Sequence, residues 1–298
     1  MALKVENIEK SYGNKKVVDN VSFSMEKPGV FGLLGSNGAG KTTSIRMILG
    51  IIKKDNGNIT WNGKSVIREN VNFGYLPEER GIYPKIKVYN QLMYFAELKG
   101  MNKETAEKEI KYWLKKLEIE EYENMTAEKL SKGNQQKVQF LTAILSDPEL
   151  IVLDEPFSGL DPINTKLLKQ IVEELTAKGK FIIMSSHQME LIEEFAEEII
   201  ILKRGKTIVK GNLNDIKNGY PSNRLELKTK KSVTDIIKKL NLEIEDSKNN
   251  NYEIHLKEEA EAYKLYELLN ADNTNVIKFE IKKPSLNDIF IEKVGKNE

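Results

Sequence analysis

Apolar positions follow two rhythms along this chain, and the switches between them divide it. Residues 3–5, 17–18, 21–25 and 30–34 are short apolar or alternating runs that read as strands. Turn signals at Gly13-Asn14 and Pro28-Gly29 separate them. Residues 58–61 and 72–76 continue the strand pattern. From 88 to 145 the spacing changes to three and four, with Leu92, Phe95, Ala96 and Leu98, then Ile110, Trp113, Leu114 and Leu117. Charged residues fill the gaps, which predicts amphipathic helices. Residues 150–153 and 181–184 are continuous apolar runs, as expected of parallel strands covered on both faces. A helix over 165–177 links them, a second is predicted over 190–197, and residues 199–202 and 207–209 form a hairpin through Arg204-Gly205.

A break follows near Gly219-Tyr220-Pro221-Ser222. Beyond it the pattern predicts strand 224–229, helix 233–240, strand 243–247, strand 252–256, helix 258–269 and strand 275–281. That order is βαββαβ, a ferredoxin-like α+β arrangement, closed by a helix over 285–294. The predicted domains are therefore 1–218, with a helical insertion at about 85–146, and 219–298.

Composition narrows the classes. In 298 residues, 46 Lys and Arg against 45 Asp and Glu leave a net charge of +1. No global field marks a nucleic-acid binder, and no direct nucleic-acid contact is expected. The absence of cysteine excludes disulfides and fits a reducing compartment. The first residues lack a signal-peptide pattern, and no apolar run of about eighteen residues is present. If the protein works at a membrane, another chain supplies the spans.

The chemistry concentrates after residues 30–34. Gly35-Ser36-Asn37-Gly38-Ala39-Gly40-Lys41-Thr42 is the G-x-x-x-x-G-K-[ST] phosphate loop, leading through Thr43 into a helical pattern. Its glycines let backbone N–H groups wrap a phosphate chain, and the following helix presents its positive end. Lys41 is placed for the β- and γ-phosphates, and the Thr42 hydroxyl for Mg²⁺. The chain is expected to bind a nucleoside triphosphate. Asp154 and Glu155 follow the apolar run 150–153; Asp154 would complete a Mg²⁺ shell through water, and Glu155 would polarise the attacking water. Two acids there also suit a simple helix cap. Ser131 and Gly133 at a helix start offer a second anion site, or only a cap.

Together these motifs resemble the ATP-binding subunits of ABC transporters. Leu130, Ser131 and Gly133 match the Leu-Ser-Gly-Gly-Gln signature, while Lys132 and Asn134 depart from its commonest form. The resemblance implies an ABC-type P-loop α/β domain with an antiparallel β subdomain and an inserted helical subdomain. It also implies ATP and Mg²⁺ as cofactors. It assigns Asp161, in Ser158-Gly159-Leu160-Asp161, to the D-loop, His187 to the γ-phosphate switch, and Tyr12 to stacking on adenine. It places Ser131, Gly133 and Asn134 on the ATP of a paired ATPase subunit, identical or not. Glu78 stands where the family usually has a Mg²⁺-touching Gln, so hydrolysis is expected to be slower or more conditional. The segment Leu76-Pro77-Glu78-Glu79-Arg80-Gly81 and the ending 284–290 resemble ABC-2 type exporters, including those of bacterial sodium efflux. That subgroup implies a multi-span permease partner and a peripheral position on the cytoplasmic face of the membrane. A helix of that partner would enter a groove between residues 78–84 and the helical segment. Importer subunits and soluble ABC-type ATPases acting on ribosomes or DNA are the competing readings. His255, Trp61 and Trp113 read as structural.

Overall fold

The computed structural model describes residues 2–67, 70–79 and 81–295; Arg80 of the segment quoted above lies outside them. The chain divides into two compact units, Met1–Gly211 and Asn212–Glu298.

In the first unit, β1 (Leu3–Tyr12), β2 (Lys15–Met25) and β3 (Gly29–Gly35) lead into α1 (Lys41–Ile48), followed by β4 (Asn56–Trp61), β5 (Lys64–Ser65) and β6 (Phe73–Leu76). The helical segment comprises α2 (Val88–Leu98), α3 (Lys103–Lys116) and α4 (Lys132–Ile144). Then come β7 (Leu150–Asp154), α5 (Pro162–Ala177), β8 (Phe181–Ser186), α6 (Met189–Glu193), β9 (Ala196–Lys203) and β10 (Lys206–Asn212). Two sheets form. One is antiparallel with order β2-β1-β4-β5. The other has order β10-β9-β3-β8-β7-β6, with β9, β3, β8, β7 and β6 mutually parallel.

Burial explains the second sheet. Every residue of β3 and β7 is buried, as continuous apolar runs require when both faces are covered. Leu3, Val5 and Phe23 of the antiparallel sheet share one core with Ile45 and Ile48 of α1 and with Phe31, Leu33 and Val152 of the parallel sheet. The helix behind the phosphate loop is thus held between two sheets. Trp61 and Trp113 are core residues.

The helix expected over 190–197 is shorter than that pattern suggested. It ends at Glu193, and Ala196 already pairs with Val30 in the parallel sheet. Sheet pairing overrides the helical preference of the Glu-rich stretch.

The second unit opens with α7 (Leu213–Asn218), so the Gly219–Pro221 break falls after this helix. It continues with β11 (Arg224–Thr229), α8 (Thr234–Lys239), β12 (Glu243–Lys248), β13 (Asn251–His255), α9 (Glu259–Ala271), β14 (Val276–Lys282) and α10 (Leu286–Gly295). The sheet order β12-β13-β11-β14 is that of a ferredoxin-like βαββαβ fold, and all three pairings are antiparallel. Asn249 and Asn250, both left-handed with φ 52° and 59°, make the tight turn between β12 and β13.

Candidate functional site

The phosphate loop leaves the buried end of β3 in a conformation that only glycine accepts. Gly35, Gly38 and Gly40 have φ of 149°, 77° and 103°. A Cβ on Gly35 would lie 2.5 Å from the Leu202 carbonyl oxygen, and one on Gly40 would lie 2.7 Å from that of Val17. The loop is therefore clamped by its neighbours as well as turned. It curls around a cavity of about 370 Å³ lined by Val17, residues 36–43 and Glu78. Ser36, Asn37, Gly38, Ala39, Gly40, Lys41, Thr42 and Thr43 are thus brought to one concave surface at a helix N-terminus, where backbone N–H groups favour anions. Gly35 stands at its root.

Three ionisable side chains converge beneath that loop. Lys41, buried, donates to the Gly35 carbonyl at 2.8 Å and lies 3.4 Å from Glu155 Oε1. Glu155 is 5% exposed. Its other oxygen, Oε2, is 3.0 Å from His187 Nδ1 and accepts from the Ser186 hydroxyl at 3.3 Å. The Glu155 backbone is left-handed at φ 53°, unusual for a residue with a long side chain. Its N–H donates to the Ser185 carbonyl at 3.2 Å, which ties this turn to the end of β8. Glu155 and His187, distant in sequence, share one hydrogen-bonding position because β7 and β8 are parallel neighbours ending at the same level.

Asp154 is fully buried. Burial pushes its carboxyl above the usual carboxylate range, against the Ser185 and Thr42 hydroxyls and Lys41, which favour the charged form. Ser185 donates to Oδ1, while Oδ2 has no hydrogen-bond partner. A buried carboxylate oxygen without a partner is costly unless something binds it. Thr42, Asp154 and Glu78 together offer hard oxygen donors, the chemistry that suits Mg²⁺. No cluster of three His, Cys, Asp or Glu side chains among the described residues could hold a metal alone. A cation here would draw the rest of its shell from phosphate and water.

Asp154, Glu155 and His187 are not in the cavity lining and meet it through Lys41 and Thr42; the remaining sequence candidates lie on other elements. Ser131 is the N-cap of α4, its hydroxyl accepting from the Asn134 N–H at 3.2 Å. Gly133 faces α5 closely: a Cβ there would come within 3.3 Å of Asn164 Nδ2. Asp161 caps α5 by accepting from the Ile163 and Asn164 N–H groups at 3.0 and 2.9 Å. The Asn164 N–H, foremost, holds its carboxyl below the usual range. Tyr12 sits at the β1–β2 hairpin with its ring exposed and Lys10 Nζ 5.5 Å from the ring centre. Val17, on the same hairpin, lines the cavity.

Two glutamines hold the loops around the site: Gln136, which continues the signature pattern but carried no assigned role, and Gln139, which the sequence did not single out. Gln136 donates to the Pro156 carbonyl at 3.1 Å, just after Glu155. Gln139, one turn along α4, donates to the carbonyls of Pro77 and Glu79. Polar positions on an amphipathic helix read as a solvated face, so only their place in Gln135-Gln136-Lys137-Val138-Gln139 offered a signal.

A phosphate loop opening α1, an acidic pair closing β7 and a histidine after β8 define a P-loop ATPase. The ABC transporter family model matches residues 18–158. The model of the C-terminal domain of DrrA1-3-like ATP-binding proteins matches residues 211–294. The chain is 44% identical to an uncharacterised ABC transporter ATP-binding protein of Bacillus subtilis, YhaQ, over 98% of each. It is 29% identical to the linearmycin resistance ATP-binding protein LnrL of the same species, over 99% of this chain and 98% of that one. Among solved structures, an ATP-binding subunit of an ABC transporter superposes with a TM-score of 0.67 at 30% identity, covering 74% of this chain and 93% of the other. The chain belongs to the ABC transporter ATP-binding proteins, a family that hydrolyses ATP to power transport. Its C-terminal domain and relatives fit the ABC-2 type exporter group.

Proposed function

We propose that this ATPase subunit powers export through a separate multi-span permease, working as one half of an ATP-sandwich dimer. The observation that carries the chemistry is Glu155 held between Lys41 and His187 at the phosphate loop. Bound ATP would draw Lys41 toward its β- and γ-phosphates, freeing Glu155 to accept a proton from the attacking water. His187 keeps Glu155 oriented and reaches the γ-phosphate from the β8 side. Thr42, Asp154 and Glu78 would hold Mg²⁺, which neutralises charge developing on the phosphates.

Pairing is supported by the family to which the chain belongs: Ser131, Gly133 and Asn134 open α4 and Asp161 caps α5, elements apart from the phosphate loop, and head to tail they would serve the nucleotide of the other subunit. Tyr12 would stack on the adenine at the open side of the cavity, beside Val17. Export is supported by the DrrA-like C-terminal domain and by a full-length relative named for resistance. The permease contact is supported by a groove of about 680 Å³ between Tyr83, residues 85–87 and the start of α2, where Tyr83, Ile86 and Tyr94 are exposed. Among the described residues no helix is long and apolar enough to cross a membrane. The assembled subunit would sit peripherally on the cytoplasmic face.

Glu155→Gln tests this reading. ATP binding should persist, turnover should fall by about 10²–10⁴-fold, and the ATP-loaded variant should elute as a dimer. Parental turnover would remove Glu155 from its role as base. A monomer with ATP bound, alone and with the permease, would remove the shared site.

A further inference from the structure

Gln139 is 2% exposed, one of three polar side chains that α4 buries, together with Gln135 and Lys137. Its Nε2 donates twice, to the Pro77 carbonyl at 2.8 Å and to the Glu79 carbonyl at 2.9 Å. These two carbonyls flank Glu78, whose side chain lines the phosphate-loop cavity. One amide therefore ties down the Pro77–Glu78 peptide group and the Glu79 carbonyl one residue further on, bracketing the Glu78 carboxylate. Pro77 stiffens the chain on one side. On the other, Gly81 packs close, with an added Cβ falling 3.8 Å from Gln139 Nε2.

A packing role alone would not require this arrangement. An apolar side chain of the same length would fill the space, and it would leave two half-buried carbonyls without their donor. The loop is exposed at Glu78 and Glu79, so its conformation depends on few other restraints. We infer that Gln139 is a positioning residue: its amide clamp sets where the Glu78 carboxylate stands relative to Thr42 and Asp154, and so sets the Mg²⁺ demand of hydrolysis. This rests on the metal role proposed for Glu78.

The test compares Gln139→Met, Glu78→Ala and the double variant in the full-length protein. Three quantities are read: ATPase rate against Mg²⁺ concentration, ATP binding in EDTA, and the thermal midpoint. Gln139→Met should raise the Mg²⁺ needed for half-maximal rate about fivefold, the size expected from losing a buried donor. It should leave metal-free ATP binding unchanged. Glu78→Ala should shift the Mg²⁺ curve at least as far, and the double variant no further than Glu78→Ala alone. Should Gln139→Met not fold, Gln139→Glu keeps the length, replaces the donor by an acceptor, and should shift the curve in the same direction. A parental Mg²⁺ curve for the Gln139 variants beside a shifted one for Glu78→Ala overturns the clamp and leaves the Glu78 role standing. Parental curves throughout overturn both. Additive shifts in the double variant show Gln139 acting elsewhere and also overturn the clamp.

Discussion

Charge is handled in opposite ways by the two units. In the first, Lys41, Asp154 and Glu155 are 7%, 0% and 5% exposed, packed at the ends of parallel strands. In the second, charges lie on the outer face of an antiparallel sheet. There Glu226 of β11 stands opposite Glu280 of β14, and Lys278 and Lys282 of β14 reach across to Glu226 and along their own strand to Glu280. The first cluster leaves an oxygen of Asp154 without a partner; the second pairs every charge with a neighbour. Buried, incompletely satisfied charge is expensive and has chemical use, whereas exposed and compensated charge costs little and mainly keeps a face wet. The position of these groups, more than their number, separates the catalytic unit from its companion.

Removing the central cation should break the first arrangement most severely. Lys41→Ala deletes the ammonium that would meet the phosphates and leaves Glu155 with only His187 and the Ser186 hydroxyl. ATPase kcat/KM should fall by about 10³-fold, as for loss of a preorganised charge at a site of developing negative charge. A stopped or coupled ATPase assay checks it, and a fall under tenfold would mean that Lys41 is not at the phosphates.

Asp154→Asn sharpens the contrast because its two effects should have opposite signs. With no nucleotide or Mg²⁺ present, the amide removes a buried carboxyl whose charged form burial opposes. Unfolding free energy should rise by about 1–2 kcal/mol, read by chemical denaturation. Mg²⁺-dependent turnover should be lost in the same protein. A variant that is both less stable and inactive would show that Asp154 serves the fold, contrary to its incomplete hydrogen bonding.

Much of the first arrangement was legible because its signals are local. The phosphate-loop glycines announce their positive φ by spacing, and continuous apolar runs announce buried parallel strands. The encounter of Glu155 with His187 is not local; it depends on β7 and β8 being neighbours, which family order suggested and residue chemistry alone did not. Gln136 and Gln139 were hidden more deeply, since a glutamine turned into a loop looks the same in sequence as one turned to water. Strand β1 was read only over residues 3–5. Its register shifts between Val5 and Ile8 and again before Ser11, and such bulges erase the alternation by which a strand is recognised. The Glu-rich stretch before β9 failed for the opposite reason: its local preference was clear, and tertiary pairing at Ala196 overrode it.

The smallest expected effect lies in the second unit, and its pH dependence identifies it. Lys278 foremost, then Lys282, hold the Glu226 carboxyl below the ordinary value of 4.5. A depressed carboxylate contributes stability that is present above its unfolded pKa and lost as pH falls through the folded one. Glu226→Gln should therefore cost about 0.5 kcal/mol near neutrality, discounted for solvent screening. The difference from the parent should shrink to nothing as pH drops below 4.5 toward the depressed folded value. Denaturant melts of both proteins across that range read it directly. ATP turnover at neutral pH should match the parent, because this carboxylate belongs to a compensated ladder on another unit. A loss of turnover comparable to that of Asp154→Asn would instead mean that the charged sheet face acts on the nucleotide site, and the division between chemically used and solvating charge would no longer follow burial.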